Sequence, residues 1–174
     1  MENSATLEIT IISAEDLRLS HRPLKKNAFV TVRSTSTLND GGASSTSLDR
    51  DGGSYPHWNE KLKVALPASA RSISVEVCCK TGTGVRLVAV AAIPVSDFCE
   101  PAGYLHFLSY RLRERDGERN GIINLSVRME GAGPFGRRVQ RPLAAPPTMW
   151  AKGEERRNYG VAVGHPVGYG YRVY

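Results

Sequence analysis

From residue 7 to residue 129, apolar side chains recur at every second position in run after run, and this period of two limits what the chain can fold into. Leu7, Ile9 and Ile11 alternate with Glu8 and Thr10, and Leu62, Val64 and Leu66 alternate with Lys61, Lys63 and Ala65. Ile73, Val75 and Val77 alternate with Ser72, Ser74 and Glu76, and Ile123, Leu125, Val127 and Met129 alternate with Asn124, Ser126 and Arg128. Successive side chains of a strand point to opposite faces, so each run describes a strand with one face buried and one face wet. Ala28 to Arg33 is β-branched and aromatic, and Tyr104 to Arg113 is a noisier strand. Val85 to Ile93 is apolar on both faces apart from Arg86, which predicts a central, covered strand. A short strand around Ser44 to Leu48 brings the number to eight. Asn39-Asp40-Gly41-Gly42, Asp51-Gly52-Gly53, Gly82-Thr83-Gly84 and Asp116-Gly117 supply turn chemistry between the runs. No segment of ten residues carries a 3.6 period, and Pro94 to Phe98 holds at most one helical turn. The fold class is all-β, an eight-stranded antiparallel β-sandwich over residues 1–130.

Charge divides the chain differently. The 174 residues hold 23 Lys+Arg and 17 Asp+Glu, a net +6, but residues 131–174 contain 7 of those cations and 2 of those acids. They also hold 8 of the 17 glycines and 5 of the 10 prolines. Residues 1–130 are left with 16 basic against 15 acidic side chains. The C-terminal stretch has no alternation that would build a core, and reads as a flexible Gly/Pro/Arg/Tyr-rich tail. No run approaches the roughly 18 apolar residues of a membrane span. Met1-Glu2-Asn3-Ser4 lacks the basic opening of a secretory signal. Cys78, Cys79 and Cys99 are odd in number and lack framework spacing, as expected of reduced thiols in a cytoplasmic protein.

Particular residues resemble a known family. Leu7-Glu8-Ile9-Thr10-Ile11-Ile12-Ser13-Ala14-Glu15-Asp16-Leu17 is similar to the opening strand of a C2 domain, and Asn27-Ala28-Phe29-Val30-Thr31-Val32 to its second strand. Pro56-His57-Trp58-Asn59-Glu60 matches the family's Pro-x-Trp-Asn-Glu signature. Ile93 to Phe98, Gly121 to Leu125 and the Gly/Tyr-rich tail resemble the small plant single-C2 proteins, a group of stress-responsive and copine-associated regulators of defence cell death. The resemblance implies a Greek-key sandwich, and a structural role for Pro56, Trp58, Asn59 and Glu60. Independently of it, a Trp between a Pro and a strand start buries a large ring and fixes the adjoining loop.

C2 domains that use calcium gather about five aspartates from two loops at one tip, because the ion demands 6 to 8 oxygen ligands. Here Asn27 stands in the place of one such aspartate, and Cys79-Lys80-Thr81 replaces the Asp-x-Asp pattern. Lys25, Lys26, Lys80 and Arg86 lie beside those positions and would repel the ion. No calcium site is expected, and no other cofactor.

Direct contact between cations and anionic phospholipids is the simplest substitute. The candidate lipid-binding residues are Arg22, Lys25 and Lys26 in the first loop, Lys80 and Arg86 around the third, and Lys61 and Lys63 on an outward strand face. The implied function is a calcium-independent adaptor at the cytosolic face of the plasma membrane, with a copine-like protein partner in plant defence. A sandwich that binds only protein is the alternative. His21, His57, His106 and His165 show no nucleophile–base spacing, and Gly82-Thr83-Gly84 lacks the Gly-Lys-Ser/Thr of a phosphate loop, so no enzyme is expected. Lys80 would lower the pKa of a neighbouring exposed thiol, although one buried and one exposed cysteine at 78 and 79 is the plainer expectation. The tail's dilute charge offers no specific nucleic-acid site.

Overall fold

A computed structural model describes residues 4–35 and 42–130; the tail at 131–174 and most of the turn at 39–42 lie outside the described residues. The strands are β1 (Ser4–Glu15), β2 (Arg18–Leu19), β3 (Arg22–Pro23), β4 (Ala28–Thr35), β5 (Ser44–Ser45), β6 (His57–Pro67), β7 (Ser72–Thr81), β8 (Gly84–Pro94), β9 (Leu105–Arg113) and β10 (Arg119–Glu130). A single 3-10 turn, Val95–Asp97, is the helical element among them.

Eight of the strands form one antiparallel succession, β5-β4-β7-β8-β9-β10-β1-β6, with β2 and β3 as a separate hairpin. Between β8 and β9 the ladder shrinks to one pair, Val90 with Arg113. The succession therefore folds into two four-stranded layers, β5-β4-β7-β8 and β9-β10-β1-β6. The chain changes layer from β1 to β4, from β5 to β6, from β6 to β7 and from β8 to β9, which gives the crossing connections of a Greek key. Leu7, Ile9 and Ile11 of β1 face inward with Ile123, Leu125 and Val127 of β10, all fully buried. Ile73, Val75 and Val77 of β7 meet them from the other layer in the same core. Burying each such side chain contributes about 1.5–3 kcal/mol, and the period-two pattern gathers them on one face.

Two sequence expectations are corrected. β8 is not a covered central strand: Val85 is 62% exposed and Ala92 is exposed. A second layer covers only the inward face, and β8 borders the gap in the ladder, so its outward apolar side chains meet solvent. Cys78 and Cys79 are both buried, not one buried and one exposed. Cys79 points into the core, while Cys78 lies on the outer face between Phe29 of β4 and Leu87 of β8, whose bulk shields it.

Candidate functional site

The end of the sandwich where β1 runs out is built from the loops at 16–27, 50–56 and 82–83. The first contains the β2–β3 hairpin, turned by Ser20 and His21 with φ of 54° and 62°. Two consecutive left-handed residues make the tight reversal that matches strand twist, normally the work of Asn-Gly. Asn120 of β10, almost wholly buried, holds the root of this loop. It accepts from the Arg18 N–H at 2.8 Å, and its amide donates to the Arg18 carbonyl at 2.7 Å. Gly121 beside it has φ of 74°, and a Cβ there would stand 2.3 Å from the Glu15 carbonyl oxygen. At the loop's far end Asn27, φ 62°, accepts from the Lys80 N–H at 3.0 Å and donates from Nδ2 to the Lys80 carbonyl at 3.4 Å. These bonds set Lys26 beside Lys80.

The second loop is organised by Asp49. Its Oδ1 accepts from the backbone of Asp51 at 2.9 Å and Gly52 at 2.8 Å, and its Oδ2 from His57 at 2.7 Å. Partial burial pushes its pKa up, but the three N–H donors outweigh that, and the carboxyl sits below its ordinary value. The loop backs onto the first one: Leu17 N–H donates to the Ser54 carbonyl and Ala14 N–H to the Pro56 carbonyl, each at 3.0 Å.

The Pro-x-Trp-Asn-Glu residues fasten β6 to the opposite layer. Trp58 packs half-buried against the core and donates from Nε1 to the Ala28 carbonyl at 3.2 Å. Asn59 takes a left-handed φ of 48°. Glu60 Oε2 accepts from both the N–H and the hydroxyl of Ser47 at 2.8 Å, tying β6 to the segment after β5. Pro56 is buried beneath them.

Between the first and third loops opens a cleft of ≈ 600 Å³. Leu19, Leu24 and Cys79 form part of its apolar lining, and Arg22, Lys25, Lys26 and Lys80 also border it. A polar recess of ≈ 430 Å³ continues past Lys26 and Lys80 to Arg50 and Asp51 of the second loop. Among the described residues no carboxylate lies within 4.0 Å of Arg22, Lys25, Lys26 or Lys80. Four of the seven cations singled out from sequence thus meet in one place.

The other three do not join them. Arg86 faces Cys79 across the β7–β8 ladder and lies outside the cleft. Lys61 and Lys63 sit on the outward face of β6, where Lys61 Nζ pairs with Glu8 at 3.0 Å and Lys63 Nζ with Glu130 at 3.3 Å. Lys61 also holds the Glu8 carboxyl below its ordinary pKa. The expected lysine cluster is therefore half of a mixed charge ladder, because the adjacent β1 and, beyond it, β10 supply acids that the linear sequence keeps far away. Arg50 was missed in the sequence; its signal was a cation beside an Asp-Gly-Gly turn.

A C2 domain family model matches residues 5–110 of the chain. The chain belongs to the C2 domain family. It is 42% identical over 135 residues to BON1-associated protein 2 of Arabidopsis thaliana, an alignment covering 74% of this chain and 63% of that protein. It is 25% identical over 159 residues to Protein SRC2 of Glycine max, covering 86% and 52%. The chain thus spans between half and two-thirds of the length of these relatives. Among solved structures, a C2 domain of plant extended synaptotagmin 1 superposes with a TM-score of 0.60 at 13% identity, over 75% of this chain and 96% of that one, a likeness of fold alone.

Within the C2 fold, this end is the tip that holds calcium in the members that use it. Among the described residues no three His, Cys, Asp or Glu side chains gather anywhere as an ion would require. Asp16 pairs with Arg18 at 3.2 Å, and Asp51 shares its recess with Lys26, Arg50 and Lys80. Among the described residues, those that line the cleft include Arg22, Lys25, Lys26 and Lys80 and no carboxylate. Burial raises the pKa of both the Cys78 and Cys79 thiols; Arg86, which pulls the Cys79 value down, is outweighed. Activation of a thiol by Lys80 is accordingly not what this C2 domain displays. Among the described residues no helix is long and apolar enough to cross a membrane.

Proposed function

We propose that this C2 domain is a non-enzymatic adaptor that associates with anionic phospholipid membranes without calcium and engages a protein partner there. It acts, on this proposal, at the cytosolic face of the plasma membrane in plant stress and defence, including control of cell death. One observation carries it: Arg22, Lys25, Lys26 and Lys80 meet at the tip with no carboxylate partner among the described residues. Each basic residue at an anionic surface contributes about 1 kcal/mol, so four give an association of roughly millimolar strength, reversible and weakened by salt. The net +5 of residues 131–174 adds avidity. The name of the Arabidopsis relative describes association with another protein, BON1, and supports a protein partner, which we take to be copine-like.

The alternative, a C2 domain that binds only protein, is favoured by two large side chains left exposed near the start of β9, Phe107 at 72% and Tyr104 at 59%. Co-sedimentation with phosphatidylserine-containing and neutral vesicles, in chelator and in calcium, separates the two. Pelleting with the anionic vesicles in chelator that fades with salt supports the adaptor. No pelleting at low salt leaves the protein-binding reading, and pelleting only with calcium overturns the calcium-independent mechanism.

A further inference from the structure

The cleft between the first and third loops has a property that a flat cationic surface lacks. Its basic side chains stand over an apolar lining in which Leu24 and Cys79 are buried and Leu19 is half-buried. The volume of ≈ 600 Å³ lies inside the range of about 300–1,000 Å³ usual for small-ligand sites. Burial keeps the Cys79 thiol neutral, so the lining stays uncharged. A ligand that matches both halves has a negative head and one apolar chain. Inorganic phosphate would leave the apolar lining wet, and a neutral hydrocarbon would leave the cations unanswered.

We infer that this cleft binds individual single-chain anionic amphiphiles, with the chain along Leu19, Leu24 and Cys79 and the head at Arg22, Lys25, Lys26 and Lys80. The inference rests on the same cationic tip as the membrane reading but requires that a lipid leave the bilayer, or never be in one. Affinity then depends on chain length as well as head charge. At about 0.8 kcal/mol per buried methylene, two added methylenes tighten binding by up to roughly tenfold while the cleft still has room.

The test uses the full chain and calorimetry with lysophosphatidate of graded chain length, each kept below its aggregation concentration. Glycerol 3-phosphate serves as the head alone and lysophosphatidylcholine as a zwitterionic control. Gly82→Trp fills the cleft mouth from a position where a Cβ has nothing within 4 Å. Leu19→Glu places a carboxylate on a half-buried part of the lining. Saturable one-to-one binding of lysophosphatidate that strengthens with chain length, and weakens about tenfold or more in both variants, is the expected result. An unchanged thermal unfolding transition in Gly82→Trp shows that the variant is folded. Vesicle pelleting with no monomer binding overturns the cleft inference and leaves the membrane reading intact. Glycerol 3-phosphate binding as tightly as the acylated forms overturns it too, since the site would then be for anions only. Monomer binding without vesicle pelleting supports the cleft and sinks the membrane reading instead.

Discussion

Removing charge from the tip and from the β6 face should have unequal consequences, although sequence alone ranks the two sites together. Lys26→Ala with Lys80→Ala deletes two cations that have no carboxylate within 4.0 Å among the described residues. At about 1 kcal/mol each this is about 2 kcal/mol, or roughly a 30-fold loss of partitioning onto anionic vesicles. Lys61→Ala with Lys63→Ala deletes two cations that Glu8 and Glu130 already offset at 3.0 and 3.3 Å. From a few Debye lengths away each pair is nearly neutral, and within about 10 Å of the membrane its residual attraction is a fraction of a free lysine's. The expected loss is under about threefold. Both positions on β6 are more than half exposed, so the substitutions leave the core untouched. Vesicle titration at about 50 and 200 mM salt reads both variants, and the tip variant should also have the shallower salt dependence. If the β6 variant loses as much affinity as the tip variant, the ion pairs do not silence the strand, and the tip is not the contact surface.

Four further outcomes rest on the same structure. Asp49→Ala removes the acceptor for three backbone N–H groups and should cost about 2–4 kcal/mol, roughly 10 °C in Tm by calorimetry. Because the folded pKa of Asp49 lies below its unfolded value, its contribution is present above that unfolded value, near 3.8. It is lost as pH falls through the folded one, so wild type and variant should converge in Tm only in strongly acid solution. Gly121→Ala forces a Cβ to 2.3 Å from a backbone oxygen at φ of 74°, and denaturant unfolding should show a loss of at least about 2 kcal/mol. Gly117→Ala, at φ of 92° with open space around it, should cost about 1 kcal/mol from backbone strain alone. Tyr110, half-buried with its hydroxyl donating to Asp97, has its pKa pushed up to about 12. Ultraviolet titration should find the Tyr110 tyrosinate forming only in strongly alkaline solution, and Asp97→Asn should bring it forward.

Sequence by itself determined the sandwich, because side chains two apart share a face of a strand and only a two-layer fold buries every such face. It also located β6 through Pro56 and Trp58, since a ring of that size beside a proline has little choice but to pack. It placed Arg22, Lys25, Lys26 and Lys80 in or beside the loops that border the cleft, without their neighbours. Only tertiary structure decided which cations stand free. Lys61 and Lys63 look as basic in the sequence as Lys26 and Lys80, yet strand pairing sets Glu8 and Glu130 against them from 53 and 67 positions away. Tertiary structure also decided that β8 has a wet face, that both thiols are buried, and that Asp49 and Asn120 are the pins of the loops. Those outcomes depend on which backbone or strand arrives across the chain, and alternation within a strand carries no record of its neighbour.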